Sequence, residues 1–345
     1  MTVDGAGIRR LLADGVGERM FPGAVWAVGD VGGLRVGGTA GVLDPERPGE
    51  AMREDTVFDL ASLTKILAVW SVVGTLWEEG RIELDRPLGA SWPEVAGAPL
   101  GEVTARQLLT HTAGLPLHAR LRVSYGTDPV AIRAGVLRER LHRPPGEAVD
   151  YTDRAALILG YLAEYLTGQT LDVLAVDRIW RPLGMRETWF GPLPEAVAAR
   201  CAPTEWDEEA GLRWKGVVHD PSARLLGGVA GIAGVFSVAE DLGLFLRHLL
   251  APSARPTGFG AAWTAESLRV WTGGLEPARG LFWYPAPGTG EAEDVWVHYG
   301  FTGTGMWVSP RLGRWAVLLT NKVYVTRDRE PMTTVRNRFR ELAFA

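Results

Sequence analysis

The chain has 345 residues, of which 46% are hydrophobic and 22% charged, and its formal net charge is −5 at pH 7. This balance is typical of a globular protein, and the length allows two domains or one large domain with an insertion. Like charges do not form runs of five or six, so the sequence offers no basic tract for nucleic acid or an anionic membrane.

The single cysteine, Cys201, has no partner for an internal disulfide, which is typical of a reducing compartment. Residues 1–20 contain no continuous apolar core of the kind that secretory signals have. The longest apolar stretch, residues 66–77, is too short to span a bilayer. We therefore expect a cytoplasmic protein that binds neither nucleic acid nor membranes.

In chain order, the pattern begins with an amphipathic helix over residues 8–20. Two short strand-like runs follow, and Gly32-Gly33 separates them as a hairpin turn would. Three more runs rich in Val, Trp and Leu lie near the C-terminus, where a helix closes the chain. The predicted strands are 23–30, 34–42, 294–299, 305–309 and 314–320, and the closing helix is 329–343.

The middle of the chain is predominantly helical. Residues 62–79 are apolar nearly all round, which predicts a buried helix that Gly80 ends. Three further helices are predicted, at 104–110, 153–167 and 171–181, with Gly168 and Pro182 as the ends of the last two. Strands at both ends with helices between them predict an α/β core that is interrupted by an all-helical region.

Residues 58–69, FDLASLTKILAV, carry a serine and a lysine three positions apart, Ser62 and Lys65. Residues at this spacing share one face of a helix, so the amine lies beside the hydroxyl. A lysine that apolar surroundings keep neutral can remove the proton of a serine nucleophile. The chain has 9 Ser and 3 Lys, for which chance gives roughly 0.08 such pairs.

This pair resembles the first motif of the serine β-lactamases and penicillin-binding proteins, and especially the class C branch with its esterases and acyltransferases. Five more segments resemble that branch in order along the chain. They are LLTHTAGLP (108–116), RPPGEAVDYTDRAALILGYLAE (143–164), RPLGM (181–185), VHDPSARLLGGVAGIAGVFSVAEDL (218–242) and HYGFTGTGMWVSP (298–310).

The resemblance implies a β-lactamase/transpeptidase-like α+β fold. In that fold an antiparallel sheet is built from the N- and C-terminal strands and flanked by helices. It also implies a discontinuous α/β domain, 1–60 plus 220–345, and a mainly helical domain, 61–219, with the active site between them. No cofactor and no metal are expected, since the six histidines lack zinc-site spacing and one cysteine cannot build a zinc cluster.

The resemblance also implies roles for individual residues. Ser62 attacks the acyl carbonyl, Lys65 takes its proton, and Tyr151, in the sequence YTD, passes the proton to the leaving group. The backbone N–H groups of Ser62 and Phe301 form the oxyanion hole. His298, Tyr299 and Gly300 stand where the family has K-T-G, and with Asp153 they would bind substrate or form part of a proton network.

Two departures from the family pattern bear on the substrate. Asp153 stands where the family has an amide; it replaces a neutral donor by an acceptor, or else serves as a helix N-cap. His298 and Tyr299 replace a lysine and a threonine that help to hold the carboxylate of a β-lactam. A partly protonated imidazole is a weaker partner for that carboxylate, so we expect poor turnover of β-lactams.

Two other histidines are given structural roles. His219, in VHDPSARLLGG, is expected to be structural at the border of the pocket, and His111 to order the turn after its helix.

These observations favour a serine acyl hydrolase of the esterase or amidase type that acts on a small-molecule acyl substrate. The main alternative is an acyltransferase that uses the same acyl-enzyme to acylate an alcohol or amine, for example in natural-product biosynthesis. A true β-lactamase is less favoured, because His298 and Tyr299 replace the lysine and threonine of the family. A non-catalytic binding protein is less favoured, because Ser62, Lys65 and Tyr151 are all intact.

Overall fold

The computed structural model describes residues 3–47, 49–117, 121–252 and 258–345. The strands are β1 Gly23–Asp30, β2 Gly33–Gly41, β3 Phe58–Asp59, β4 Trp189–Phe190, β5 Trp206–Asp207, β6 Leu212–Arg213, β7 Val235–Ser237, β8 Tyr284–Pro285, β9 Trp296–Tyr299, β10 Gly305–Ser309 and β11 Arg314–Thr320. The α-helices are α1 Gly5–Gly17, α2 Ser71–Glu78, α3 Ala105–Leu109, α4 Leu121–Tyr125, α5 Pro129–Val136, α6 Asp153–Thr167, α7 Leu171–Ala175, α8 Arg181–Leu183, α9 Glu195–Ala198, α10 Pro221–Leu225, α11 Ala239–Leu250, α12 Ala261–Ser267 and α13 Glu330–Phe344. Tighter 3₁₀ turns occur at Ala61–Leu63, Leu88–Ala90, Pro93–Val95, Pro99–Glu102 and Lys322–Tyr324, and wider π-helical turns at Lys65–Trp70 and Val176–Trp180.

The main sheet has six antiparallel strands in the order β2-β1-β11-β10-β9-β8. The N-terminal hairpin therefore pairs with the C-terminal strands, and the helical middle of the chain lies between them in sequence. This arrangement confirms the predicted fold class. A smaller sheet, β3-β7-β4, brings residues 58–59 beside residues 235–237, and β5 pairs with β6.

The strands β1, β10 and β11 of the main sheet are buried on both faces, and alternate side chains of each strand point to opposite sides. Trp26 and Leu318 pack with Phe339 in the core formed with α1 and α13. Their neighbours Val25 and Val317 belong to the larger core on the other face, with α11 and the helical middle of the chain. The sheet is thus the central layer between two helical layers.

Several predicted elements are confirmed at their bounds, namely the strands at residues 23–30, 305–309 and 314–320 and the helix at 153–167. The first helix begins at Gly5 rather than at residue 8, because Asp4 accepts the N–H of Gly7 and caps it. Gly168 ends α6 as predicted, with a positive φ of 71°.

Two helical predictions are corrected. Residues 62–79 form no single α-helix but a 3₁₀ turn, a π-helical segment and then α2. Pro182 does not end its helix, since it lies in the first turn of α8, where its missing N–H is tolerated. The end comes at Gly184, whose φ is 78°. The π-helical segment Lys65–Trp70 begins at the lysine of the serine–lysine pair, and single π turns often mark functional sites.

The division into domains 1–60 plus 220–345 and 61–219 stays a prediction. In the residues that the structure describes, no helix is long and apolar enough to cross a membrane.

The segment that carries Ser62 and Lys65 leads into Trp70, which packs against several other aromatic rings. This packing yields a first prediction. Trp70 is fully buried, lies 4.6 Å from the ring of Phe259 and donates through Nε1 to Ser267 Oγ at 2.9 Å. We expect Trp70→Ala to lower the free energy of unfolding by about 3 to 5 kcal/mol, because it leaves a large cavity.

Urea denaturation measures this loss, with Trp206→Ala as the matched control. Trp206 is 45% exposed, so its removal should change the free energy of unfolding by no more than about 0.5 kcal/mol. Similar small losses for both variants would contradict the central position of Trp70 in the core.

Candidate active site

Ser62 and Lys65 stand at the start of the segment that leads into α2. Lys65 is fully buried, and its Nζ donates to three oxygens. These are Ser62 Oγ at 3.0 Å, Asp153 Oδ1 at 2.8 Å and the carbonyl oxygen of Ile232 at 2.9 Å. An ammonium has three N–H donors, so every donor of Lys65 is used.

The turn before Ser62 is strained. Ala61 has a φ of +47°, a left-handed conformation that a residue with a Cβ seldom adopts. The buried carboxylate of Asp59 holds this turn, because it accepts the N–H of Ala61 at 2.8 Å and that of His219 at 2.7 Å. Thr64 Oγ1 accepts the N–H of Val235 and ties the same segment to β7.

The charge of Lys65 differs from the expectation drawn from the sequence. Burial acts to lower the pKa of Lys65. The negative charge of Asp153 and the electrostatic interaction with Tyr151 outweigh this effect and raise the pKa above its ordinary value. The idea that apolar surroundings keep this lysine neutral is therefore wrong. The structure instead holds an ammonium–carboxylate pair beside Ser62.

Asp153 is the first residue of α6. The helix N-cap is Thr152, whose hydroxyl accepts the N–H of Arg154. The alternative interpretation of Asp153 as the N-cap is therefore wrong, and its carboxylate bonds to Lys65 instead. Its side chain remains 34% exposed, so a bound molecule could cover it.

Tyr151 lies beside the same cluster and is 38% exposed. The Nζ of Lys65 is 5.4 Å from the centre of its ring, and the imidazole of His111 is 4.5 Å from it. His111 also accepts the N–H of Thr152 through Nδ1 and that of Asp150 through its carbonyl oxygen. His111 thus orders the segment that presents Tyr151.

The end of β9 packs directly against the turn before Ser62. Thr302 and Thr304 donate to the carbonyl oxygens of Asp59 and Leu60, at 2.7 and 3.2 Å. At Gly300 an added Cβ would lie 2.4 Å from the Leu60 carbonyl oxygen, so only glycine fits there. These contacts fix Phe301 beside Ser62, and both residues line the two pockets of the site.

His298 lies on β9 and is buried. Its Nδ1 donates to the carbonyl oxygen of Phe282 at 2.7 Å, and its Nε2 has no hydrogen-bond partner among the residues that the structure describes. Burial lowers the pKa of His298 to about 3, with help from the positive charges of Lys65 and Arg279. The imidazole is therefore neutral at physiological pH, not partly protonated as the sequence led us to expect.

Tyr299, next on the strand, lies on the opposite face of the sheet. Its ring is 5.4 Å from that of Trp307, and the guanidinium carbon of Arg336 is 4.3 Å from its centre. Burial raises the pKa of Tyr299. Both Tyr299 and Gly300 line the larger pocket.

Two pockets meet at Ser62, Tyr151 and Phe301. The larger has a volume of about 340 Å³ and extends past His298 to α13. The smaller, of about 190 Å³, extends past Asp153 to His219 and Asp220. His219 thus borders a pocket, as expected, and its ring stacks on that of Phe301 at 5.7 Å.

Three contributors to the site were missed from the sequence. Asp59 lies in the quoted segment FDLASLTKILAV but has no spacing that reveals its role. The carbonyl oxygen of Ile232 contributes through the backbone, for which no side chain gives a signal. Arg279 lines the larger pocket from a loop without any recognised motif. Among the described residues, no group of three or more His, Cys, Asp or Glu side chains is placed to hold a metal ion.

The chain is similar to known proteins over nearly its whole length. The Beta-lactamase family model matches residues 8–339. The chain belongs to the β-lactamase family. As a member of it, the protein is an enzyme, a serine hydrolase or acyltransferase.

This chain is similar in sequence to two relatives and in fold to one solved structure. Esterase EstB of Burkholderia gladioli is 31% identical, and the match covers 89% of this chain and 88% of that protein. The N-acetylmuramyl-L-alanine amidase of Bacillus subtilis (strain 168) is 25% identical, and the match covers 88% of this chain and 77% of that protein. Simvastatin synthase (LovD) from Aspergillus terreus has the same fold, with a TM-score of 0.77, 20% identity and coverage of 100% and 99%.

The ion pair of this family member yields a second prediction. Asp153→Asn removes the charge that holds Lys65 protonated. We expect the midpoint at which Lys65 loses its charge to fall by about one pH unit or more, because a neighbouring opposite charge shifts a pKa by roughly 1 to 3. The pH dependence of the Lys65 side-chain NMR signal measures this midpoint.

The matched control is Asp172→Asn, which removes a carboxylate from α7, away from the site. It should leave the midpoint where it is in the unmodified protein. A midpoint that stays unchanged or rises in Asp153→Asn would mean that the carboxylate does not control the charge of Lys65.

Proposed function

We propose that the protein is a serine acyl hydrolase of the esterase or amidase type that works through an acyl-enzyme on Ser62. The observation that carries this proposal is the bonded set of Ser62, Lys65 and Asp153, with Tyr151 beside it, where two pockets meet. A nucleophile needs a base within hydrogen-bond reach and space for both parts of the substrate. The site offers both.

The first step is activation of Ser62. In the resting protein Lys65 is an ammonium and has no lone pair to accept a proton. A substrate that covers the exposed part of Asp153 removes water from the carboxylate, and loss of water favours its neutral form. Lys65 then hands one proton to Asp153, 2.8 Å away, and gains the lone pair that takes the proton of Ser62, 3.0 Å away.

The second step is formation and collapse of the tetrahedral intermediate. Ser62 Oγ bonds to the acyl carbon, and the carbonyl oxygen takes up the negative charge. Two N–H donors, from Ser62 and Phe301, would stabilise that oxyanion. The support for this pair is the set of bonds from Thr302 and Thr304 that hold the end of β9 against the turn before Ser62.

The third step is departure of the leaving group and entry of water. The bond from the acyl carbon to the leaving group breaks, and the leaving group takes a proton from Tyr151. Tyr151 then takes a proton from the incoming water, whose oxygen bonds to the acyl carbon. The bond from the acyl carbon to Ser62 Oγ breaks, Lys65 returns a proton to Ser62, and Lys65 takes back the proton held by Asp153. The partial exposure of Tyr151 supports this role, since a proton carrier must meet both the leaving group and water.

The substrate proposed is a small ester or unstrained amide rather than a β-lactam. A neutral His298 supplies no positive charge at the position where the family has lysine. The combined pockets, of about 340 and 190 Å³, suit a small molecule. The proposed partner is therefore a small-molecule acyl substrate.

An acyltransferase reaction is the second candidate, and the smaller pocket is the observation that favours it. A transferase must hold its acceptor beside the acyl-enzyme and keep out water. An alcohol or amine in that pocket would lie beside Tyr151, which would take its proton. A binding protein without catalysis is less favoured, because binding alone does not require the hydrogen bonds that join Lys65 to Ser62 and Asp153.

The nucleophile yields the third prediction. Ser62→Ala and Lys65→Ala should each lower ester turnover by orders of magnitude while circular dichroism stays that of the folded protein. The double variant should be little slower than either single variant, because groups that act as a unit are not additive. Intact-mass spectrometry and peptide mapping after a slow ester should find the acyl group on Ser62, and an adduct elsewhere would refute the assignment.

The fourth prediction separates hydrolysis from transfer. The protein is loaded with an activated ester, a panel of alcohols and amines is added at millimolar concentration, and the products are quantified. The hydrolase proposal predicts free acid as the main product throughout. Saturable transfer to one acceptor, at or below millimolar concentration, would instead establish the transferase, because water competes at roughly 55 M.

A further inference from the structure

Phe282 has a backbone conformation that aromatic residues seldom adopt. Its φ is +61°, and its side chain is fully buried. A bulky residue in this left-handed region is an outlier that costs folding free energy, whereas a glycine would carry no such cost. The strain therefore indicates that the ring of Phe282 has a role that a glycine would not fill.

Two hydrogen bonds hold the backbone of Phe282 in this conformation. Its N–H donates to the carbonyl oxygen of Leu109, the last residue of α3, at 2.7 Å. Its carbonyl oxygen accepts Nδ1 of His298, on β9, also at 2.7 Å. Because the residue is tied to two elements of the site at once, its strained conformation is over-determined and the direction of its ring is fixed.

The ring of Phe282 stacks on the imidazole of His111. The ring centres are 5.2 Å apart and the planes differ by 30°. His111 also has a left-handed backbone, with a φ of +58°, and its Nε2 is buried with no hydrogen-bond partner among the described residues. Burial lowers the pKa of His111 well below its ordinary value, and the positive charges of Arg279 and Lys65 act in the same direction, so the imidazole is neutral. Strain and an unsatisfied polar group are costs that proteins accept mainly at functional sites.

His111 in turn holds Tyr151. The centres of their rings are 4.5 Å apart. His111 also accepts the N–H groups of both chain neighbours of Tyr151, that of Asp150 at 2.8 Å and that of Thr152 at 3.4 Å. Tyr151 is 38% exposed and lines both pockets, so much of its ring faces open space. The imidazole that Phe282 supports is therefore a main contact for the Tyr151 ring.

We propose that Phe282 is a positioning residue that sets, through His111, the place of the Tyr151 ring for proton transfer. This inference rests on the proposed function, in which Tyr151 gives a proton to the leaving group. Phe282 is not among the described residues that line the two pockets, so its effect passes through His111. A proton donor must lie within hydrogen-bond reach of its target, and a displacement of about 1 Å can lower a rate by about 100-fold.

The test compares two esters whose leaving groups differ in their need for a proton. 4-Nitrophenyl butyrate releases a stable phenolate, whereas ethyl butyrate releases an alcohol that must be protonated as it leaves. Both esters carry the same acyl group, and kcat/KM covers the steps up to departure of the leaving group. The measured quantity is the ratio of kcat/KM, ethyl over nitrophenyl ester. Tyr151→Phe removes the proton donor and should lower this ratio by about 100-fold or more.

Phe282→Gly removes the ring and tolerates the positive φ. It should lower the ratio by about 10- to 100-fold, because Tyr151 loses its support. Phe282→Leu keeps apolar bulk without a flat face and should lower the ratio by a smaller factor, about 3- to 10-fold. The matched control is Phe245→Ala, which removes another fully buried ring, one that packs against Trp70 and Phe259. It should leave the ratio as it was.

An unchanged ratio in the Phe282 variants, or an equal fall in Phe245→Ala, would overturn the positioning role. If Phe282→Gly does not fold, the ratio in Phe282→Leu decides alone.

A second readout needs no turnover. The chain has 7 tyrosines, and protein labelled with 3-fluorotyrosine gives a fluorine NMR signal for Tyr151 that Tyr151→Phe assigns by its loss. This signal should shift or broaden in Phe282→Leu and stay unchanged in Phe245→Ala. An unchanged signal in Phe282→Leu would overturn the positioning role. Absence of ester turnover together with the expected shift would count against the proposed function only.

Discussion

The three hydrogen bonds of the buried Lys65 ammonium join parts of the chain that are far apart in sequence. Ser62 belongs to the turn after β3, Asp153 begins α6, and the carbonyl oxygen of Ile232 precedes β7. A buried lysine with any donor unsatisfied would lose its charge or destabilise the fold. The same bonds that keep Lys65 charged therefore fix the nucleophile against two other segments of the site.

A second constraint acts on the turn itself. The positive φ of Ala61 is stabilised by Asp59, whose side chain accepts the N–H of Ala61. Thr302 and Thr304 hold the same turn by donating to the carbonyl oxygens of Asp59 and Leu60. Strain of this kind persists where the surroundings over-determine it. The end of β9 is thus part of the nucleophile turn, which explains why glycine is required at position 300.

The sequence predicted those parts that depend on local patterns. Side chains of the strands at residues 23–30 and 314–320 alternate between the two cores, and α6 ends at a glycine. Periodicity and helix-end signals were therefore sufficient to predict these elements. The helix α11 was not predicted, although Glu240 and Asp241 in its first turn and Arg247 in its last are typical of helix ends.

What the sequence could not give depends on contacts between distant residues. Lys65 was expected to be neutral because its helix is apolar, and the partner that reverses this conclusion lies 88 positions away. Asp153 could be either an N-cap or a site residue until its distance to Lys65 was known. Arg279, which lines the larger pocket, belongs to no recognised motif.

The charge of Lys65 is the central claim, and lysine-selective NMR tests it most directly. The chain has only three lysines, Lys65, Lys215 and Lys322, so labelled lysine gives three side-chain signals, which single substitutions assign. The account predicts that Lys65 keeps the chemical shift of an ammonium beyond about pH 10.4, the ordinary lysine pKa, while Lys322, whose pKa burial lowers to about 8, titrates first. A Lys65 signal that becomes neutral before that of Lys322 would contradict it.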